Sequence, residues 1–123
     1  KLIPHFISLL KEDKPVTVYG DGSNIRDWLF VEDHCDAIWE VFTKAESKSI
    51  YNIGGNNEYT NLEITKIILK AMKKDESYIT YVADRPGHDK RYAIDATKTW
   101  EEIGWSPKVR FEEGIQRTME FYI

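Results

Sequence analysis

Asp84-Arg85-Pro86-Gly87-His88-Asp89-Lys90-Arg91-Tyr92-Ala93-Ile94-Asp95 is the stretch around which the chain is organised. A β-rich run, Tyr78-Ile79-Thr80-Tyr81-Val82, leads into it, and a helix that Asp95 is placed to cap leads out. Pro86 fixes its own φ and Gly87 tolerates positive φ, so the chain is expected to reverse here. The reversal carries Arg85 and His88 on a rigid loop, a common place for binding groups. Arg85, Lys90 and Arg91, joined by His88 when it is protonated, suit an anionic ligand such as a phosphate. A plain polar surface turn is the competing reading of the same residues.

Upstream, Ile3, Phe6, Ile7 and Leu10 recur at helical spacing, with Pro4 in the first turn and His5 off the stripe. Val16 to Tyr19 reads as a strand. Gly20-Asp21-Gly22-Ser23 is turn chemistry, and Ile25 to Val31 reads as a second strand, which together predict a hairpin. The Gly-x-Gly is a poor dinucleotide fingerprint, because no helix follows and the third glycine is missing. On the second strand Arg26, Trp28 and Phe30 share a face. Arg26 is either a hook for a phosphate, whose oxygens match a guanidinium fork, or half of a structural pair with Asp27 or Asp33.

Asp33 is placed to cap a helix, with Asp36 in its first turn. His34, Ala37, Ile38, Val41, Phe42 and Ala45 make one stripe, which predicts His34 as a hydrogen-bonded core residue and Cys35 as packing. Ser49 to Ile53 reads as a strand ending in Gly54-Gly55, with Asn56-Asn57-Glu58 a polar loop. Thr60-x-x-Glu63 is a capping box with Tyr59 and Ile64 as staple, opening a helix with Ile64, Ile67, Ile68, Ala71 and Met72 inward. A double glycine before a helix N-terminus is a ready anion site. Asn61, in the first turn, either offers its amide to a ligand or helps cap the helix. Beyond the opening stretch, Trp100 and Ile103 lie on a helix that Gly104 and Pro107 end. Phe111, Gly114, Ile115, Thr118, Met119 and Tyr122 form the last stripe. The order is α-β-β-α-β-α-β-(β)-α-α, an α/β chain of short strands and amphipathic helices.

The totals exclude several classes. With 123 residues, 41% of them apolar and 31% charged, the chain is long enough for one domain with a real core. Its net charge of −4 and the lack of a basic stripe argue against binding nucleic acid. No apolar run approaches a membrane span. The single cysteine excludes an internal disulfide and a cysteine zinc cluster, and fits a reducing cytoplasm. No metal-ligand spacing, no nucleophile with a base and no Tyr-x-x-x-Lys pair occurs, so no catalytic, cofactor or metal residue is assigned. The opening Lys1-Leu2-Ile3-Pro4 without Met, and the closing apolar helix, read as a piece cut from a longer protein. From the residues alone the expectation is a binding lobe for an anionic small molecule, anchored by Arg26, Asn61, Arg85 and His88.

Several stretches together resemble the C-terminal part of the dTDP-glucose 4,6-dehydratases, which are extended short-chain dehydrogenase/reductase enzymes. The residues that carry it are Lys1-Leu2-Ile3-Pro4, Val18-Tyr19-Gly20-x-Gly22, Ile25 to His34, Tyr51-Asn52-Ile53-Gly54-Gly55, Tyr81 to Asp95, Gly104-Trp105-x-Pro107 and Phe111-Glu112-x-Gly114-Ile115. The Asp84 to Asp89 run is the most specific; sister epimerases and decarboxylases typically lack its histidine.

The resemblance implies a C-terminal substrate-binding lobe over residues 1–123, with the N-terminal Rossmann domain, its NAD and the catalytic residues upstream of Lys1. It implies substrate contacts by Lys1 and Leu2 beside the nucleotide, and by Thr17, Val18 and Tyr19 along the base and sugar. Arg26 and Asn61 would meet the pyrophosphate, and Asp84, Arg85, Pro86, Gly87 and His88 would close over the nucleotide. Thr17 stands where a proline is common in that family, which touches only a backbone contact. The implied reaction converts dTDP-glucose to dTDP-4-keto-6-deoxyglucose and water, in deoxysugar pathways that feed surface polysaccharide. The implied parent is a cytoplasmic homodimer joined through the upstream domain. Residues 27–55 would pack on that domain, so the piece alone is expected to be inactive, without cofactor, and prone to self-association. Two other functions fit the same chain: the substrate lobe of a UDP-sugar epimerase or decarboxylase, and a non-catalytic anion-binding module.

Overall fold

In a computed structural model describing residues 1–123, helix α1 spans Leu2–Lys11 and turns Phe6, Ile7 and Leu10 inward, as its 3.6-residue spacing requires. It packs on α3 (Asn61–Ala71) and α5 (Phe111–Tyr122). Ile64, Ile68 and Leu69 from α3, Ile115 and Met119 from α5, and Val16 complete the main core. Thr60 and Glu63 form the expected capping box, each side chain bonding the other's backbone N–H. The inward face of α3 is rotated from the expected stripe: Thr65 and Leu69 are buried and Ala71 is exposed.

Strand β1 (Val16–Tyr19) buries Val16 and Val18 and runs parallel to β4 (Ile79–Val82), with Val16 opposite Ile79 and Tyr19 opposite Val82. The expected hairpin between the first two strands does not form. Instead β2 (Ile25–Asp27) pairs antiparallel with β3 (Glu58–Thr60), a segment whose polar residues read as loop. The turn explains the departure. Gly20 and Gly22 both have positive φ, at 58° and 75°. Asp21 accepts bonds from the backbone and hydroxyl of Ser23, and the Gly22 carbonyl accepts from Leu62 N–H, so the chain leaves β1 for the start of α3.

The second strand is also shorter than expected, because the Asp27 carboxylate gathers the N–H groups of Gly55, Asn56 and Asn57 and folds the next loop around itself. Helix α2 (Val31–Lys44) then begins with Phe30 as N-cap and no side-chain cap. Asp33 is not the cap. It is buried and accepts from the N–H groups of Lys108 and Val109, before α5. Ala37 meets Ile103 and Trp105 of the segment around α4 (Thr97–Ile103) in a second, smaller core. The rest of the expected α2 stripe is largely outside: His34, Ile38 and Phe42 are exposed, as is Cys35. Ser49 to Ile53 joins no ladder. Side chains of Lys98 and Thr99 take the carbonyls of Ile50 and Asn52, and Tyr51 bonds Glu102. The element order otherwise matches expectation, with β3 shifted downstream and the bracketed strand before α4 reduced to a single bridge at Arg91. No helix is long and apolar enough to cross a membrane.

Candidate functional site

The loop after β4 reverses where Pro86 and Gly87 predict: His88 N–H bonds the Arg85 carbonyl and Gly87 takes φ 70°. The returning chain meets β2 in a single parallel bridge between Ile25 and Arg91, with Ile25 N–H on Lys90 O and Tyr92 N–H on Ile25 O, each 2.9 Å. This crossing brings Arg26 of β2 under the loop. Its Nη1 donates to Ile25 O at 2.7 Å, and its Nη2 faces Asp89 O and His88 Nε2, both at 3.1 Å. The guanidinium lies 4.2 Å from the centroid of the Tyr92 ring. Asp27 and Asp33, its alternative partners, are both spent on backbone N–H groups.

Arg85 lies over the Tyr19 ring at 5.3 Å, and that ring meets His88 edge-on at 6.2 Å. His88 Nδ1 is 2.6 Å from Asp84 Oδ1, which also accepts Arg85 N–H at 2.8 Å. The His88 hydrogen bond, with help from Arg85, holds the Asp84 carboxyl below the usual carboxylate range. Of the five arginines, Arg91, Arg110 and Arg117 are paired with glutamates, whereas Arg26 and Arg85 face no carboxylate within ion-pair distance. Two guanidinium groups thus lie on tyrosine faces with no carboxylate paired to neutralise them.

Other candidates spread out from this centre. Asn61 is the first residue of α3. Its N–H bonds Asn24 O beside Arg26, and its side-chain amide makes no bond within the chain. The expected free helix N-terminus is absent: Asn61, Leu62 and Glu63 N–H go to Asn24 O, Gly22 O and Thr60 Oγ1. Thr17 faces outward on β1 while Val18 is buried, so Val18 presents backbone only. Lys1 is exposed at the start of α1, Leu2 packs on the main core, and neither touches the arginine cluster. Pro86 and Gly87 form the exposed tip.

Sequence reasoning missed Tyr92, Asp89 and Asn24. The Asn24 amide holds Asp89 O, and the Asp89 carboxylate holds the Tyr92 hydroxyl, whose pKa rises for that reason. Only a Tyr close behind a cationic turn hinted at this support.

Two clefts of about 320 and 330 Å³ lie elsewhere. Asp27, Glu58 and Asp95 line the first, which suits no anion; Trp100 and Trp105 line the second. No group of His, Cys, Asp or Glu is arranged to hold a metal. The Gly20–Gly22 turn does not fit a dinucleotide either. A Cβ at Gly22 would lie 2.8 Å from Val18 and 2.9 Å from Leu62, so that glycine is filled by protein, and β2 follows in place of a helix.

Comparison with known proteins bears on what the arginines serve. The family described as GDP-mannose 4,6 dehydratase matches residues 1–118. The chain is 50% identical to a dTDP-glucose 4,6-dehydratase of Salmonella typhimurium over all of its own length and 36% of the relative's. Among solved structures, the dTDP-glucose 4,6-dehydratase of Bacillus anthracis, in complex with NAD, is 48% identical with TM-score 0.92, over 99% of this chain and 39% of that one. UDP-glucose 4-epimerase of Thermotoga maritima, with UDP-glucose, superposes as well, at TM-score 0.90, but is 28% identical, again over 99% of this chain and 39% of that one. The chain therefore spans well under half the length of these relatives.

Proposed function

We propose, from the premise that the chain belongs to the GDP-mannose 4,6 dehydratase family, that it is the nucleotide-sugar-binding part of a dTDP-glucose 4,6-dehydratase. The observation that carries the reading is the pair of guanidinium groups, Arg26 and Arg85, left without carboxylates beside one loop. Three of the five N–H groups of Arg26 are held within the chain, which leaves two to meet a diphosphate. The Asn61 amide offers a neutral donor nearby. Thr17, Val18 and Tyr19 would line the base and sugar, with Lys1 and Leu2 at the edge, and Asp84 to His88 would close over the nucleotide. The difference between 50% identity to a dehydratase and 28% to an epimerase supports dTDP-glucose over a UDP-sugar.

In this reading the product is dTDP-4-keto-6-deoxyglucose and water. NAD, held by a domain upstream, supplies the acceptor and later the donor of the sugar's hydride. The residues here contribute binding energy far from the reacting carbons, which positions the sugar for that exchange. Residues 27–55 would rest on the upstream domain, and a dimer would form through it.

The test is dTDP affinity, by calorimetry on the full-length enzyme. Arg26→Ala is expected to weaken dTDP by about 10- to 100-fold, the worth of one charge-assisted hydrogen bond. KM for dTDP-glucose should rise while single-turnover hydride transfer changes less. Unchanged affinity would end the diphosphate reading, and UDP binding as tightly as dTDP would favour a sister epimerase.

A further inference from the structure

His88 stands in an unusual position for a binding residue. Its side chain is 6% exposed, although it sits on an exposed loop. Both ring nitrogens already have partners inside the chain: Nδ1 has Asp84 Oδ1 at 2.6 Å and Nε2 has Arg26 Nη2 at 3.1 Å. A guanidinium has no acceptor atom, so it must donate. Nε2 is then the acceptor, and the proton of the neutral ring is on Nδ1, where Asp84 receives it. Asp84 is itself anchored by Arg85 N–H, and the Tyr19 ring stands roughly perpendicular to the imidazole, 6.2 Å away between centroids. No side-chain polar atom of His88 is left for a ligand.

We propose that His88 is a positioning residue for Arg26: Asp84 fixes the imidazole as the Nδ1-protonated tautomer, and Nε2 aims the guanidinium at the diphosphate. The inference rests on the reading that Arg26 binds that group. A carboxylate in the same place would hold the guanidinium equally well but would neutralise it. A neutral acceptor holds direction and leaves the charge to the ligand, while the negative charge of Asp84 stays one imidazole away. The other restraints on Arg26, Ile25 O and Asp89 O below and the Tyr92 face beside it, are likewise uncharged where they touch it. The loop meets β2 through this relay, the Arg26–Asp89 O bond and the single bridge at Arg91.

The experiment measures dTDP affinity of the full-length enzyme for Arg26→Ala, for His88→Ala, His88→Asn and His88→Gln, and for the Arg26→Ala/His88→Ala double variant. Glutamine carries an amide oxygen near the place of Nε2. Asparagine keeps a donor near the place of Nδ1 but falls short of Arg26. His88→Ala and His88→Asn are expected to weaken dTDP about tenfold, with His88→Gln close to wild type. The double variant should be no weaker than Arg26→Ala alone, because His88 acts through that residue. Additive losses, or equal losses for Asn and Gln, would overturn the relay while the diphosphate reading stood. No effect of Arg26→Ala would remove both. The wild-type ring gives a readout that needs no variant: its ¹⁵N shifts should report Nδ1–H, and an Nε2–H tautomer would overturn the proposal.

Discussion

Asp33 is 2% exposed, and its carboxylate accepts the N–H groups of Lys108 and Val109 at 3.1 and 2.9 Å. A buried acid in such a place stabilises only because its partners are complete. Removing it strands two main-chain donors, so Asp33→Ala is expected to cost about 2–3 kcal/mol in urea unfolding, with Asp33→Asn losing less. A change under about 0.5 kcal/mol, the range of an ordinary surface site, would contradict the assignment. At this scale the sequence was half legible. An aspartate ahead of an apolar stripe reads as a cap by spacing alone, and nothing near Asp33 announces that its partners lie before α5. Arg26 left two readings open, and the occupation of Asp27 and Asp33 by backbone N–H groups removes the structural pair.

Elements followed local chemistry closely where that chemistry was self-contained. The capping box of α3, the Pro86-Gly87 reversal, the stripe of α1 and the stripe of α5 as far as Met119 formed as their spacing predicts, whereas Tyr122 at the end of α5 is exposed. Strands β1 and β4 also formed where they were read, but the expected pairing and the strand at Ser49 to Ile53 did not, because ladder partners are chosen over long range. Ile50 and Asn52 have strand-like neighbours, yet their carbonyls are taken by α4 side chains, while Glu58 to Thr60 pairs because β2 lies opposite. The Gly20–Gly22 turn decides this sorting, and it gives an element-scale prediction. At Gly22 an alanine Cβ would press on Val18 and Leu62 with φ at 75°, whereas at Gly87 it would meet nothing within 4 Å at φ 70°. Gly87→Ala should cost about 1 kcal/mol for backbone strain alone, and Gly22→Ala about 2–4 kcal/mol once overpacking is added. Equal losses of denaturation midpoint would show that the turn is not packed as described.

Over the whole molecule, two cores of unequal quality stand side by side. The first is closed by three helices; the second rests on Ala37, Ile103 and Trp105. On α2, Val31, Cys35, Ile38 and Phe42 repeat at spacings of four and three residues on an exposed face, with Trp39 64% and Phe42 79% exposed. An exposed apolar row of that kind favours association with another apolar surface. The 123-residue chain alone is therefore expected to scatter light as more than a monomer, and Trp39→Asp with Phe42→Asp to lower that mass. A clean monomer at every concentration would argue against an upstream domain covering this face.

The central claim, that Arg26 and the loop after β4 cradle a nucleotide diphosphate, is tested most directly by a crystal structure of the full-length enzyme with dTDP. The account predicts phosphate oxygens within hydrogen-bond distance of the Arg26 guanidinium, with Arg85 over the nucleotide. A diphosphate bound away from both arginines would contradict it.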